Sequence, residues 1–130
     1  MKAQMFLVTG SRDWRDKTKL VDALDLALAF NPNMRLIHGG AAGADRLAHD
    51  WAKERGVPVQ SFAPDYSRPS PQRYHERNDR MLALADQVVA FWDGESRGTK
   101  SVIDKARQRG LRLQVVRCPS LFAGDQENAA

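Results

Sequence analysis

The sequence predicts an α/β fold: one three-layer α/β/α domain with helices on both faces of a mostly parallel sheet. Three observations predict it. Short apolar runs alternate with segments of helical periodicity along nearly the whole chain. The passages from apolar run to helical segment are rich in small and polar residues. The 130 residues, with no repeat or domain linker, suit a single core. Crossovers between parallel strands are right-handed, so their strand-to-helix loops gather at one edge of the sheet. Ligands bind there, where the winding reverses. Loops 10–16, 39–45, 63–71 and 92–99 are therefore expected to border one cleft.

Met5 to Thr9 is the first apolar run, ended by Gly10-Ser11. A helix follows with Asp16 as N-cap and Leu20, Ala23, Leu24, Ala27 and Leu28 on its inner stripe. Asn31-Pro32-Asn33 stops it. Arg35 to His38 is a short second strand, and Gly39-Gly40-Ala41-Ala42-Gly43 turns it into a second helix. That helix lines up Ala44, Leu47, Ala48, Trp51 and Ala52 on one face and is capped by Gly56. Val57 to Phe62 is the third strand, and three prolines make 63–71 irregular. The third helix, from about Pro71 to Ala85, sets Tyr74, Arg77, Asn78, Met81 and Leu82 in one stripe, so two polar residues stand in line with core residues. Gln87 to Phe91 is the fourth strand. A helix to Arg109, capped by Gly110, and a strand from Leu111 to Val116 complete the domain, 1–117. The tail, 118–130, is polar at its end and expected to be partly disordered.

A net charge of +4 is modest, and basic residues are interspersed with acids, so nucleic acid is an unlikely partner on bulk charge alone. The cluster Arg68, Arg73, Arg77 and Arg80 is better suited to phosphate, which forked guanidinium groups bind well. The single cysteine, Cys118, forms no internal disulfide and fits a cytoplasmic setting. No apolar stretch is long enough to cross a bilayer. No His, Cys, Asp and Glu spacing marks a metal site, and no cofactor is expected.

The loop Trp92-Asp93-Gly94-Glu95-Ser96-Arg97-Gly98 joins a buried strand to a helix start whose open N–H groups suit an anion. Gly94, Gly98, Thr99 and Lys100 are its candidate ligand contacts. Thr99 and Ser101 are open to two readings, helix cap or phosphate donor. Gly39, Gly40, Ala41 and Gly43 either bring amides to a phosphate or make a tight turn. Asp45 either complements a helix dipole or binds a ribose hydroxyl or water. Arg77 and Asn78 face the ligand or clip backbone carbonyls. Gly10, Ser11 and Arg12 would contact a second phosphate or a sugar. Trp14, Tyr66 and Trp92 are the loop aromatics available to stack on a base. Trp51 belongs to the core; His38 is a candidate polar lining, and His49 is expected in solvent.

The segments Val8-Thr9-Gly10-Ser11-Arg12-Asp13-Trp14, His38-Gly39-Gly40-Ala41-Ala42-Gly43-Ala44-Asp45, Arg77-Asn78 with Met81-Leu82, and Gly98-Thr99 together resemble the YspA-like branch of the SLOG superfamily. The resemblance covers roughly residues 5 to 117. It implies a Rossmann-like domain that binds a nucleotide-derived small molecule, as a sensor or sequestering module. A second similarity is to the LOG phosphoribohydrolases, which cleave the bond between base and ribose phosphate. His75-Glu76-Arg77-Asn78 is similar to their catalytic stretch and would place the catalytic arginine at Arg77, with Glu76, Asp45, Glu95 or Asp104 as the carboxylates available to an enzyme. Asp93 to Thr99 is similar to their phosphate loop, but Val102 stands where they carry a catalytic Glu. Cleaving an N-glycosidic bond needs a carboxylate near an oxocarbenium-like centre. Binding is therefore the first reading and N-glycosidic hydrolysis or transfer the second. Single-stranded DNA binding, as in the related DNA-processing protein A, is the third. The resemblance to LOG proteins also implies a homodimer.

Overall fold

The computed structural model describes residues 2–117, so the tail and Cys118 lie outside the described residues. Five strands and four helices follow one another: β1 (Gln4–Gly10), α1 (Lys17–Phe30), β2 (Met34–His38), α2 (Ala44–Arg55), β3 (Val59–Ser61), α3 (Gln72–Leu84), β4 (Gln87–Trp92), α4 (Arg97–Gln108) and β5 (Arg112–Arg117). The strands form one sheet in the order β3-β2-β1-β4-β5. Every neighbouring pair is parallel. The chain winds outward from β1 to β3, then crosses back through α3 to place β4 beside β1. Winding therefore reverses between β1 and β4, whose carboxyl ends meet at the pair Gly10 and Phe91.

The inner strands are buried on both sides, which explains why they read as unbroken apolar runs. Phe6 and Val8 face α1 and α2, where they pack with Leu20, Leu24, Ala48 and Trp51. Leu7 faces the other way, with Met81 and Leu82 of α3 and Val102 and Ala106 of α4. Among the described residues, no helix is long and apolar enough to cross a membrane.

Boundaries differ from expectation where backbone bonding decides them. β3 is three residues, shorter than the expected 57–62. The amide of Val57 bonds instead to Ala52 O at 2.9 Å, closing the end of α2 behind Gly56, and Pro58 has no N–H to give. Asp16 caps α1, its Oδ1 accepting from the Lys19 amide at 2.9 Å. α4 is capped by Ser96, not by Thr99 or Ser101. The helix thus starts at Arg97 and takes Gly98 into its first turn.

Candidate functional site

A cavity of about 600 Å³ opens at the carboxyl end of β1. Its floor is the end of β1, with Val8, Thr9 and Gly10; Met81 borders it from α3. One wall is the first turns of α3, with Tyr74, His75, Arg77 and Asn78; the facing wall is the start of α4, from Ser96 to Thr99 and Ser101. Arg12, Gly39, Ala41, Asp45 and Pro71 complete the lining. Segments from all four expected loops thus converge on one cleft.

At the start of α4 the cavity wall carries backbone amides with no partner among the described residues. Asp93 Oδ1 accepts from the amides of Glu95 and Ser96, both at 2.8 Å, and folds the loop into a tight turn. Ser96 Oγ then meets Thr99, 3.5 Å from its amide and 3.1 Å from its hydroxyl. The amides of Arg97 and Gly98 make no hydrogen bond among the described residues. Such amides at a helix start carry partial positive charge. Arg97 itself is exposed beside them.

The turn after β2 differs from expectation, because the amides of Gly39, Gly40 and Ala41 are already engaged. Gly39 N and Ala41 N both donate to Asp45 Oδ2, at 3.1 and 3.2 Å. Gly40 N donates to His38 Nδ1 at 2.9 Å. That bond fixes the tautomer: the proton of His38 lies on Nε2, which donates to His49 Nδ1 at 2.9 Å. In the phosphate cradle expected over 39–45, the first three amides, those of Gly39, Gly40 and Ala41, are therefore taken by an internal carboxylate and an imidazole. His38 is buried behind the turn instead of lining the cavity, and His49 is its partner instead of a solvated side chain.

Asp45 is 5 % exposed. Burial pushes its carboxyl up to about 6, against the pull of the Ala41 and Gly39 amides and of the Arg77 and Arg12 charges. Burial, with His49 and Arg77 nearby, holds the His38 imidazole down at about 4, so it stays neutral.

Arg77 is a clip as well as a lining residue. Its Nη1 donates to Gly39 O at 2.7 Å and Phe62 O at 3.2 Å, and its Nε to Asn78 Oδ1 at 2.9 Å. A Cβ at Gly39 would stand 2.6 Å from Nη1, so glycine there makes room for the guanidinium. Among the described residues Nη2 makes no hydrogen bond. The expected role of Arg77 as a phosphate partner is thereby narrowed to that one nitrogen. Arg77→Ala strands two carbonyls and is expected to lower stability by about 2 kcal/mol without any ligand. Urea unfolding of the free protein measures this; a residue that served only the ligand would leave the midpoint unchanged.

Of the candidate site residues named from the sequence, Gly10, Arg12, Gly39, Ala41, Asp45, Arg77, Asn78, Gly98, Thr99 and Ser101 border the cavity. The others are placed elsewhere. Ser11 is buried, its Oγ accepting from the Asp93 amide at 3.1 Å and tying two loops together. Gly40 and Gly43 shape the turn; a Cβ at Gly43 would collide with the carbonyls of Ser11 and Arg12. Gly94 lies against Arg117, whose guanidinium also covers the Trp92 ring at 5.2 Å. Lys100 pairs with Asp104 at 2.8 Å. Glu76 Oε1 pairs with Arg80 at 2.9 Å, which turns this catalytic candidate away from the cavity lining. None of the three stacking candidates lines the cavity. Trp14 packs in the core against Phe91, Tyr66 is exposed, and Trp92 lies under Arg117. Tyr74 is the aromatic that does line it. Its position four residues before Asn78 was the available signal. Arg97 and Ser96 were not among the candidates because they were read as part of the 92–99 loop, whereas Ser96 caps α4 and Arg97 opens it.

Comparison with known proteins agrees with this architecture. DNA processing protein A from Streptococcus pneumoniae superposes with a TM-score of 0.74 at 17% identity, over 94% of this chain and 53% of that one. The chain thus spans about half of that protein. The structural-genomics target TM1055 superposes at 0.63 with 18% identity, over 97% and 98%. DNA processing protein A from Helicobacter pylori, described with a single-stranded DNA binding mode, gives 0.62 at 21% identity, over 86% and 64%. These likenesses are of fold. In sequence, the Gene 61 protein of Mycobacterium phage D29 is 36% identical over 112 residues, covering 81% of this chain and 90% of that protein. Residues 5–68, which hold β1, the 39–45 turn and α2, match the family described as YAcAr, YspA, cpYpsA-related SLOG. With the relative at that identity and coverage, the chain belongs to the YspA, cpYpsA-related SLOG family.

Proposed function

We propose that this domain binds a phosphorylated nucleoside, or a ligand derived from one, in the cavity between α3 and α4. The observation that carries the reading is the start of α4, where two unengaged amides and Arg97 border a cavity of nucleotide size. Phosphate belongs at this wall, not at the 39–41 turn. Arg12 supplies a second cation across the opening. Asp45, an acceptor on the cavity edge, suits a sugar hydroxyl. The test is calorimetric titration with nucleoside 5′-monophosphates. Arg97→Ala is expected to weaken binding about tenfold, the worth of one charge-assisted phosphate contact. An unchanged affinity would place the phosphate elsewhere.

A second reading, N-glycosidic hydrolysis, is favoured by one observation: the Asp45 carboxyl borders the cavity and holds a proton up to about pH 6, as a general acid or base would. Against it, Val102 is buried against the sheet and Glu76 is paired with Arg80. Free base released from a bound monophosphate, and lost in Asp45→Asn, would establish it. Single-stranded DNA binding is third. Arg73 and Arg80 are bonded to the carbonyls of Arg68 and Ala63, and steep salt dependence would mark that reading.

A further inference from the structure

We infer that the α3 wall reads the nucleobase, and that it selects a base offering only hydrogen-bond acceptors on the edge it meets, guanine or hypoxanthine over adenine. This rests on the nucleotide reading above and adds the class of base. Tyr74, Asn78 and Met81 stand at i, i+4 and i+7 on α3 and all border the cavity. An aromatic ring, a side-chain amide and a thioether in one stripe are a surface for a flat, polar-edged ring. The facing wall, at α4, holds the groups that suit phosphate, so the two ends of a nucleotide have different walls.

The selectivity comes from how Asn78 is held. Arg77 Nε donates to Asn78 Oδ1 at 2.9 Å. Arg77 is itself anchored through Nη1 on the carbonyls of Gly39 and Phe62, so its fork does not swing away. The amide is therefore set with its oxygen toward a cation, and Nδ2, which makes no hydrogen bond among the described residues, keeps two N–H donors. An asparagine with both ends open reads adenine by accepting from N6 and donating to N7. Asn78 is thereby biased toward donating, because one lone pair of Oδ1 is taken by Arg77 Nε and the adjacent positive charge disfavours a further N–H there. Guanine and hypoxanthine present O6 and N7, two acceptors, on that edge. The Arg77 guanidinium carbon also lies 5.8 Å from the centre of the Tyr74 ring, adding positive charge beside the platform, which again favours acceptors.

The experiment uses inosine 5′-monophosphate and adenosine 5′-monophosphate, which share N7, sugar and phosphate but carry an oxo group with N1–H or an amino group with a bare N1. Both are titrated by calorimetry into the wild-type protein and into Asn78→Asp, which offers acceptors in place of donors. The wild type is expected to bind the inosine nucleotide about tenfold more tightly, and Asn78→Asp to lose or invert that ratio. The wild-type ratio alone decides the matter if the variant folds poorly, and in either protein the ratio is independent of the folded fraction. Equal or adenine-preferring binding by the wild type overturns the base assignment and leaves the nucleotide reading standing. So does a ratio that Asn78→Asp leaves untouched in a folded sample. Binding of neither nucleotide overturns both.

Discussion

Asp45→Asn is expected to make the ligand-free protein more stable at pH 7 while weakening ligand binding. The carboxyl of Asp45 titrates near 6 in the fold against an ordinary value of 3.8, because burial disfavours its charge. A shift of about two units is worth roughly 3 kcal/mol between the two protonation states. At pH 7 the group is ionised in both folded and unfolded chains, so the fold bears that difference. An asparagine oxygen can still accept from the Gly39 and Ala41 amides but carries no charge to desolvate. After allowance for weaker, uncharged hydrogen bonds, a gain of about 1–2 kcal/mol is expected. A buried residue whose neutral replacement stabilises the fold is serving something other than the fold.

The same substitution changes how stability depends on pH. The raised carboxyl of Asp45 contributes stability that is full below about 4 and lost as pH rises through about 6. His38 does the reverse. Its folded value of about 4 lies below the ordinary 6.5, so its contribution is full above 6.5 and lost as pH falls toward 4. The charged or titratable neighbours are Arg77 and Arg12 for Asp45, and His49 and Arg77 for His38. The two opposed slopes nearly cancel in the wild type between pH 4 and 6. Asp45→Asn leaves the His38 slope alone, so the variant should lose about 2–3 kcal/mol on acidification from pH 6.5 to 4. Urea unfolding at those two pH values measures both slopes. A variant as flat as the wild type, or less stable at pH 7, would contradict the account.

Gly43→Ala is expected to destabilise the protein by about 3 kcal/mol or more. Gly43 holds φ at 75°, a conformation that side chains avoid, and its missing Cβ leaves room for the carbonyls of Ser11 and Arg12. Ala44 N donates to Ser11 O at 3.2 Å in the same contact. Two loops far apart in sequence thus touch backbone to backbone, and that contact sets Asp45 against Arg12. Alanine cannot enter without moving one loop, so the turn should loosen and the apparent pKa of Asp45 should fall toward its ordinary value as water reaches it. Thermal unfolding and NMR titration of the Asp45 carboxyl carbon would record the two effects. A stable variant with an unshifted Asp45 would show that the loops do not depend on this approach.

The layered parallel sheet was legible because its signals are local. Apolar runs such as Val88 to Phe91, helical stripes such as Ala44 to Ala52, and the glycine turns between them each stand in one stretch of chain. The gathering of the loops followed from handedness alone. Pairings across the chain were not legible. Nothing near Gly39 in sequence announces that its carbonyl holds Arg77, or that its amide is taken by Asp45. The same small-residue turn serves an external phosphate or an internal carboxylate, and only the position of Asp45 decides which. The stacking aromatic was missed for a related reason. Loop tryptophans attract attention, yet Trp14 and Trp92 each found a partner within the chain, Phe91 and Arg117. Tyr74, on a helix, borders the cavity even though Arg77 also lies 5.8 Å from its ring centre.

The most direct measurement is a ¹H–¹⁵N NMR titration of the protein with inosine 5′-monophosphate. Saturable shifts are predicted at the amides of Arg97, Gly98 and Thr99 and along α3 at Tyr74 and Asn78. The Gly39 and Ala41 amides, held by Asp45, should move far less. Shifts confined to another surface, such as the β5 edge, or no saturable shift at millimolar nucleotide, would contradict the assignment of this cleft.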